Sequence, residues 1–258
     1  MDGIINLTVI QVGLAYIFIL IVLVIVRIRG IKKEKEILIS SIRMSLQLIL
    51  TGYILVYIFD NPNPVATGAI IVLMEAFAVF TVLKRYKGKL STPLKKVIIL
   101  SLSMGTLSCL IYFLLVVVRI SPWYNPRYFI PIAGMIIGNS MTGVSLAVKS
   151  LIEGMTIQRE LVEEALVLGA TPKVATKAII DNTFDSAIMP TINQMVGMGI
   201  IFLPGMMTGQ ILSGTSPTTA ITYQIAIMLG ILGSVALSVI IMLQLGYRTF
   251  FNKQDQLC

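Results

Sequence analysis

The sequence contains no histidine and only two cysteines, Cys109 and Cys258, among its 258 residues. Histidine is the usual acid–base side chain of enzymes and a common metal ligand, so its absence removes the simplest catalytic and metal-cluster designs. One cysteine lies in an apolar run and the other at the terminus, which argues against a disulfide or a cysteine metal site. We therefore predict that the chain is not an enzyme.

A phosphate-binding loop is also missing. The pattern G-x-x-x-x-G-K-[ST] does not occur, so the chain cannot by itself cradle and hydrolyse ATP. Charged residues make up only 12% of the sequence and hydrophobic residues 56%, which excludes a typical soluble domain and indicates a polytopic membrane protein. The net charge of +8 comes from basic residues that flank apolar runs, so we expect them to meet anionic lipid headgroups and not nucleic acid.

Seven apolar runs have the length needed to cross a bilayer, roughly 20 residues. They are residues 4–26, 37–59, 65–83, 97–118, 129–148, 187–212 and 220–245. In this arrangement all but two of the 20 Lys and Arg residues, Arg119 and Arg127, fall on one side of the membrane, and basic loops are retained in the cytoplasm. We predict an all-α integral membrane protein with about seven transmembrane helices in a single domain, 1–258, with the N terminus outside and the C terminus cytoplasmic.

One polar segment, 156–185, interrupts the apolar pattern and is predicted to lie in the cytoplasm. Thr156 can cap a first short helix, and Gly169 can end it in a left-handed conformation. Thr171 then caps a second helix, with Pro172 at its first position. This pattern predicts a helix-turn-helix elbow on the membrane surface. The alternative is a polar loop between two spans.

Polar side chains inside the apolar runs are candidates for a ligand path. Glu75 is the only acidic residue deep within a run, and a carboxylate in lipid costs at least about 2.5 kcal/mol. It must therefore face protein or water, either as a hydrogen-bonded structural group or as an ion ligand. Asn139 follows the small residues Gly134 and Gly138, and it serves either as a helix–helix contact or as a pore residue. The further candidates are Arg43, Gln47, Met141, Met206, Met207 and Gln210.

The run 187–212 is the most irregular, because Pro204 and Gly205 interrupt it. Proline frees a backbone carbonyl, which is tolerated at membrane depth only where protein or a water-filled cavity satisfies it. We predict a hinge at these two residues beside a cavity. The methionines near it either pack or supply thioether ligands for a transition metal. The candidate lining residues are Met206, Met207 and Gln210, and the candidate metal ligands are Met206, Met207 and Glu75.

The elbow resembles the EAA loop by which ABC-transporter permeases dock onto their ATPase subunits. The matching residues are Glu163, Glu164, Ala165, Gly169, Ala170, Thr171 and Pro172, although Glu164 stands where alanine is usual. Over nearly the whole chain the sequence also resembles the FetB family of permeases, which is related to plant aluminium-sensitivity membrane proteins. The residues that carry this second resemblance are 138–142, 164–172, 190–193, 203–214 and 223–224.

The resemblance implies a permease subunit of an ABC transporter in a bacterial inner membrane, associated with iron export and driven by a separate ATPase. It implies that this chain binds no cofactor, since ATP and Mg belong to the partner ATPase. A homodimer over two ATPase subunits is expected from the closed twofold symmetry of such assemblies. The alternative cargo is an organic solute such as a nucleotide sugar. The alternative class is a secondary transporter, although the first half shows no matching broken helix.

Overall fold

The computed structural model describes residues 7–257, and those residues are predominantly helical. In chain order the helices are α1 (Val9–Ile28), α2 (Glu34–Asp60), α3 (Pro64–Arg85), α4 (Thr92–Tyr112), α5 (Pro126–Ile157), α6 (Arg159–Val167), α7 (Pro172–Ala175), α8 (Lys177–Gly197), α9 (Gly205–Leu212) and α10 (Pro217–Gly246). A π-helical turn, Phe113–Val118, extends α4, and a 3₁₀ turn, Tyr247–Phe250, follows α10. The prediction of an all-α integral membrane protein is confirmed.

Six of these helices are long and apolar enough to cross a membrane. They are α1, α2, α3, α4 with its π-helical turn, α5, and α10 with its 3₁₀ turn. They match six of the seven predicted apolar runs, and their ends differ by a few residues. The start of the first run, residues 4–6, and Cys258 lie outside the described residues.

Four of the long helices begin with the same local signal, a capping side chain with a proline in the first two helical positions. The cap residues are Asn63, Ser91, Asn125 and Ser216, and each side chain accepts a hydrogen bond from a backbone N–H two or three residues further on. Proline costs nothing there, because the N–H groups of the first turn have no partner within the helix. Short Pro- and Asn-containing connections therefore lead directly into the next helix.

The predicted run 187–212 is not one continuous helix. α8 ends at Gly197, and α9 begins at Gly205 after a non-helical stretch. Gly199 has a φ of 82°, which interrupts helical geometry, and Pro204 has no N–H to donate. The break is therefore wider than the hinge predicted at Pro204 and Gly205, and it already begins at Met198.

The described helices form two compact units. One contains α1 and α2 with Leu212–Gly214, and the other contains Asn63–Ile211 and the chain from Thr215 onward. In the first unit, the Tyr16 hydroxyl is hydrogen-bonded to Ser45 Oγ and donates to the Ser41 carbonyl oxygen at 3.4 Å. These bonds connect α1 to α2.

The centre of the second unit is formed by α4, α5 and α10, and α5 and α10 also contact α8. Small residues allow the close crossings. A Cβ added at Gly105 of α4 would lie 2.1 Å from Ser238 Oγ on α10. Ser140 Oγ on α5 is hydrogen-bonded to Ser234 Oγ on α10 at 2.8 Å. Because helices in lipid associate through close packing and interhelical hydrogen bonds, these residues hold the three helices together.

Of the two small residues predicted to form a helix contact on α5, Gly134 and Gly138, only Gly134 does so within the described part of the chain. A Cβ at Gly134 would lie 3.2 Å from Met74 Cε, so this glycine faces α3. A Cβ at Gly138 would meet no atom of the described residues within 4 Å. The pattern predicted a close contact, and the structure provides it at Gly134 alone.

Candidate functional site

The polar segment 156–185 folds as the end of α5, then α6, a tight turn, α7 and the first part of α8. The turn is a Schellman motif, because the Gly169 N–H bonds to the Leu166 carbonyl at 3.0 Å and the Ala170 N–H to the Ala165 carbonyl at 2.9 Å. Gly169 has a φ of 90°, which glycine adopts without steric cost. The predicted helix stop at Gly169 is confirmed.

The predicted caps of the elbow are only partly correct. Thr156 does not begin a helix, because α5 continues past it and its Oγ1 donates to the Ile152 carbonyl at 2.8 Å. A threonine hydroxyl can bond to the carbonyl four residues back inside a helix, so residue type alone did not identify a cap. The first elbow helix begins instead at Arg159. Thr171 and Pro172 take the predicted first positions of α7, but the Thr171 side chain makes no capping bond.

The outer surface of α6 is both acidic and apolar. Glu160, Glu163 and Glu164 are exposed, and Val167 and Leu168 are each 88% exposed. These five residues line a groove of about 520 Å³, which we call the α6 groove. An exposed apolar pair beside three carboxylates is a surface suited to a protein partner.

The opposite side of the elbow packs against other helices of the second unit. Val162 of α6 is 1% exposed. Thr176, between α7 and α8, is buried and its Oγ1 donates to the Pro172 carbonyl at 2.7 Å. α5 and α8 approach closely, because a Cβ at Gly154 would lie 2.6 Å from Ile179 Cγ2. Displacement of α6 would therefore act directly on α5, and on α8 through α7.

A cavity of about 410 Å³ lies at the far end of α8, beside the break and α10. Four methionines line it, and we call it the methionine cavity; they are Met195, Met198, Met207 and Met228. Met207 and Met228 are buried, with 7% and 6% of their surface exposed. Of the lining side chains, only Gln224 is polar.

The structure places the three residues predicted to line a cavity differently. Met207 lines it, whereas its neighbour Met206 packs against the hydrophobic core without lining it, and Gln210 lies part-buried on α9. Met228 was missed, although it lies one helical turn beyond Gln224 on α10 and that spacing places both on one face.

Glu75 lies in a separate cavity of about 580 Å³, between α3 and α4. It is 7% exposed, and the Thr106 hydroxyl donates to its Oε1 at 2.9 Å. The same hydroxyl lies 2.7 Å from the Leu102 carbonyl oxygen, and one hydroxyl proton cannot serve both acceptors at once. The Glu75 Oε2 atom has no hydrogen-bond partner among the described residues.

The candidate metal ligands are therefore not brought together within one chain, because Glu75 and Met207 line different cavities. In the part of the chain that the structure describes, no group of three His, Cys, Asp or Glu side chains could hold a metal ion.

The remaining candidates for the ligand path line neither of the two cavities. Asn139 is half-buried on α5 and its Nδ2 donates to the Met135 carbonyl of the same helix at 2.7 Å, so this donor does not form the predicted interhelical bond. Met141 packs against the hydrophobic core. Arg43 and Gln47 lie one turn apart on α2, in the other compact unit, with exposed side chains.

These features define an all-α integral membrane protein with a charged surface elbow and a methionine-lined cavity at a helix break. The chain belongs to UPF0014, described as an uncharacterised protein family, whose profile matches residues 9–251. The predicted relationship to the FetB family is thereby confirmed.

Three relatives illustrate the family. The chain is 34% identical over 252 residues to the probable iron export permease protein FetB of Escherichia coli K12, covering 98% of this chain and 95% of that protein. It is 35% identical to the protein ALUMINUM SENSITIVE 3 of Arabidopsis thaliana, covering 94% and 87% of the two chains. It is 33% identical to the UPF0014 membrane protein YjkA of Bacillus subtilis, covering 96% and 97%. No solved structure is significantly similar to the chain.

Proposed function

We propose that this chain is the permease subunit of an ABC transporter that exports iron or a related metal ion. A separate ATPase subunit binds ATP and Mg and supplies the energy. The observation that carries the proposal is the α6 groove, in which Val167 and Leu168 are each 88% exposed beside three glutamates. Docking of an ATPase would bury this apolar pair and pair Glu160 and Glu164 with basic residues of the partner. Glu163, in contrast, already accepts a hydrogen bond from Arg159 Nε of the same helix at 2.8 Å.

The mechanism rests on α8, which connects the elbow to the methionine cavity. It has 21 residues and so extends roughly 30 Å from Lys177 to Gly197. When the ATPase subunits close on ATP, they displace α6 and α7, and α8 transmits the movement to the break at 198–204. Opening and closing of this break would give the cargo access to one side of the membrane at a time.

The proposed assembly contains two copies of this chain over two ATPase subunits in a bacterial inner membrane, with lipid around the helices. Closed twofold symmetry is the usual arrangement for such homo-oligomers. The N terminus is proposed to be outside and the elbow cytoplasmic, where it can meet the ATPase. The bias of basic residues supports this orientation.

The metal cargo is supported by the printed name of the Escherichia coli relative, a probable iron export permease. The proposed path for iron runs past Glu75, in the cavity between α3 and α4. A carboxylate oxygen such as that of Glu75 is a ligand suited to a borderline divalent ion.

Co-purification tests the proposal. The tagged chain, extracted from its own membrane in mild detergent, is expected to retain an ATP-hydrolysing subunit whose activity rises when Fe²⁺ is added. Glu164→Lys should reduce this retention, because it reverses a charge in the α6 groove. Stimulation by an organic solute and by no metal would refute the metal cargo. Absence of any retained ATPase would refute the ABC assignment.

Thiol labelling tests the orientation. A cysteine introduced at Asn63 or Ser216 is expected to react with a membrane-impermeant reagent in intact cells, whereas Cys258 should react only after the membrane is opened. Reaction of Cys258 in intact cells would contradict a cytoplasmic C terminus.

A further inference from the structure

The methionine cavity has an unusual composition. Four of its ten lining residues are methionine, whereas the whole chain has 14 methionines among 258 residues. Methionines that only pack fill gaps in a core, but these four line a space of about 410 Å³. The arrangement therefore resembles a ligand site more than a packed interior.

We propose that the methionine cavity binds a soft monovalent metal ion, of the copper(I) or silver(I) class, through the thioether sulfurs of Met195, Met198, Met207 and Met228. Thioethers are soft ligands that favour such ions over the harder divalent metals. Their long, flexible side chains allow several sulfurs to turn toward one ion.

The donor set carries no formal charge. No carboxylate or thiolate lines the cavity, and Gln224 is its only polar side chain. A divalent ion moved from water into such surroundings would lose much hydration without a counter-charge, and the cost is lower for a single charge. The cavity thus selects by softness and by charge, and this selection disfavours Fe²⁺ at this position.

The helix break beside the cavity is a second, independent feature. Gly199 lines the cavity with a φ of 82°, and its N–H bonds to the Phe202 carbonyl at 3.0 Å, so the backbone there is non-helical and close to the space. Irregular backbone at membrane depth is tolerated where it lines a cavity, and discontinuous helices commonly form the binding sites of transporters. An ion bound here would therefore lie where movement of α8 could release it.

The inference deepens the proposed function, because the bound ion would be cargo only if the chain is a permease. Binding itself is tested without the ATPase. The purified full-length chain is titrated with copper(I) under reducing conditions against a chromophoric copper(I) chelator, with silver(I) as a second probe. We expect one copper(I) per chain and an X-ray absorption spectrum in which sulfur neighbours dominate.

Two adjacent residues provide a matched pair of variants. Met207→Leu is expected to weaken copper(I) binding by at least about tenfold, because it removes a proposed ligand and preserves side-chain volume. Met206→Leu makes the same chemical change one residue away, outside the lining, and is expected to leave the affinity unchanged. Met228→Leu should behave as Met207→Leu does. Thermal unfolding of each variant shows that the fold is retained.

Several results would overturn the inference. One is a failure of the wild-type chain to bind copper(I), and another is equal weakening of copper(I) binding by Met206→Leu and Met207→Leu. A third is displacement of the bound copper(I) by equimolar Fe²⁺, and a fourth is an X-ray absorption spectrum that contains only oxygen or nitrogen neighbours. Any of these leaves ATPase co-purification unaffected, so failure of this inference is distinct from failure of the proposed function. Conversely, copper(I) binding without a co-purified ATPase would support the site and refute the ABC assignment.

Discussion

The exposed apolar pair of the α6 groove gives the sharpest prediction. Val167 and Leu168 are each 88% exposed, so replacing either by serine removes no internal contact and should change the free energy of unfolding by less than about 0.5 kcal/mol. Burial of one such side chain in a complex contributes about 1.5–3 kcal/mol. Since about 1.4 kcal/mol corresponds to a tenfold change, Leu168→Ser should weaken ATPase binding by roughly tenfold to a hundredfold.

The assay is the equilibrium affinity between the purified permease variant and its ATPase subunit, with ATPase stimulation as a second readout. Val65→Ser is the control for Val167→Ser, because Val65 is also exposed, at 76%, but lies at the start of α3. We expect Val167→Ser and Leu168→Ser to weaken binding and Val65→Ser to leave it unchanged. Equal affinities for all three variants would refute the assignment of the α6 groove as the docking surface.

Three further predictions concern the backbone, helix packing and the buried acid. Gly169→Ala should lower the free energy of unfolding by about 1–2 kcal/mol, because a φ of 90° is strained for alanine. The added Cβ would meet no atom of the described residues within 4 Å, so backbone strain is the only expected cost. Unchanged denaturant unfolding would contradict this prediction. Gly105→Ala should abolish recovery of folded protein in detergent, since its Cβ would lie 2.7 Å from Ser238 Cα; normal recovery and unfolding would show that α4 and α10 can separate. Glu75→Gln keeps an acceptor for the Thr106 hydroxyl and should therefore preserve assembly. It removes the carboxylate and should abolish metal-stimulated ATPase activity. Wild-type stimulation in this variant would assign Glu75 a structural role.

Much of the fold could be predicted because its signals are local. Apolar runs located the six long helices, and a single glycine, Gly169, marked the end of α6 since the left-handed conformation is favourable almost only for that residue. Thr156 was assigned wrongly, because a hydroxyl can serve either as a cap or as a partner of the preceding turn. The choice depends on whether α5 continues, which tertiary packing decides.

The candidate site was harder to predict because it depends on which helices meet. Gly134 and Gly105 look alike in sequence, but only the structure identifies their neighbours on α3 and α10. Likewise Met206 and Met207 are identical in type and adjacent, and the orientation of α9 alone places Met207 in the cavity. Met228 lines the same cavity but is distant from Met207 in sequence, and only the structure shows that α9 and α10 both border this cavity.

Site-directed photo-crosslinking from position 168 tests the central claim most directly. A photoreactive amino acid at Leu168 is expected to form a covalent adduct with a subunit that carries a phosphate-binding loop and hydrolyses ATP, whereas the same amino acid at Val65 should not. The adduct should form with a yield that changes when ATP is bound, because the elbow is proposed to move with the ATPase. The claim would be contradicted if position 168 crosslinked only to lipid or to a second copy of the permease while transport continued without ATP.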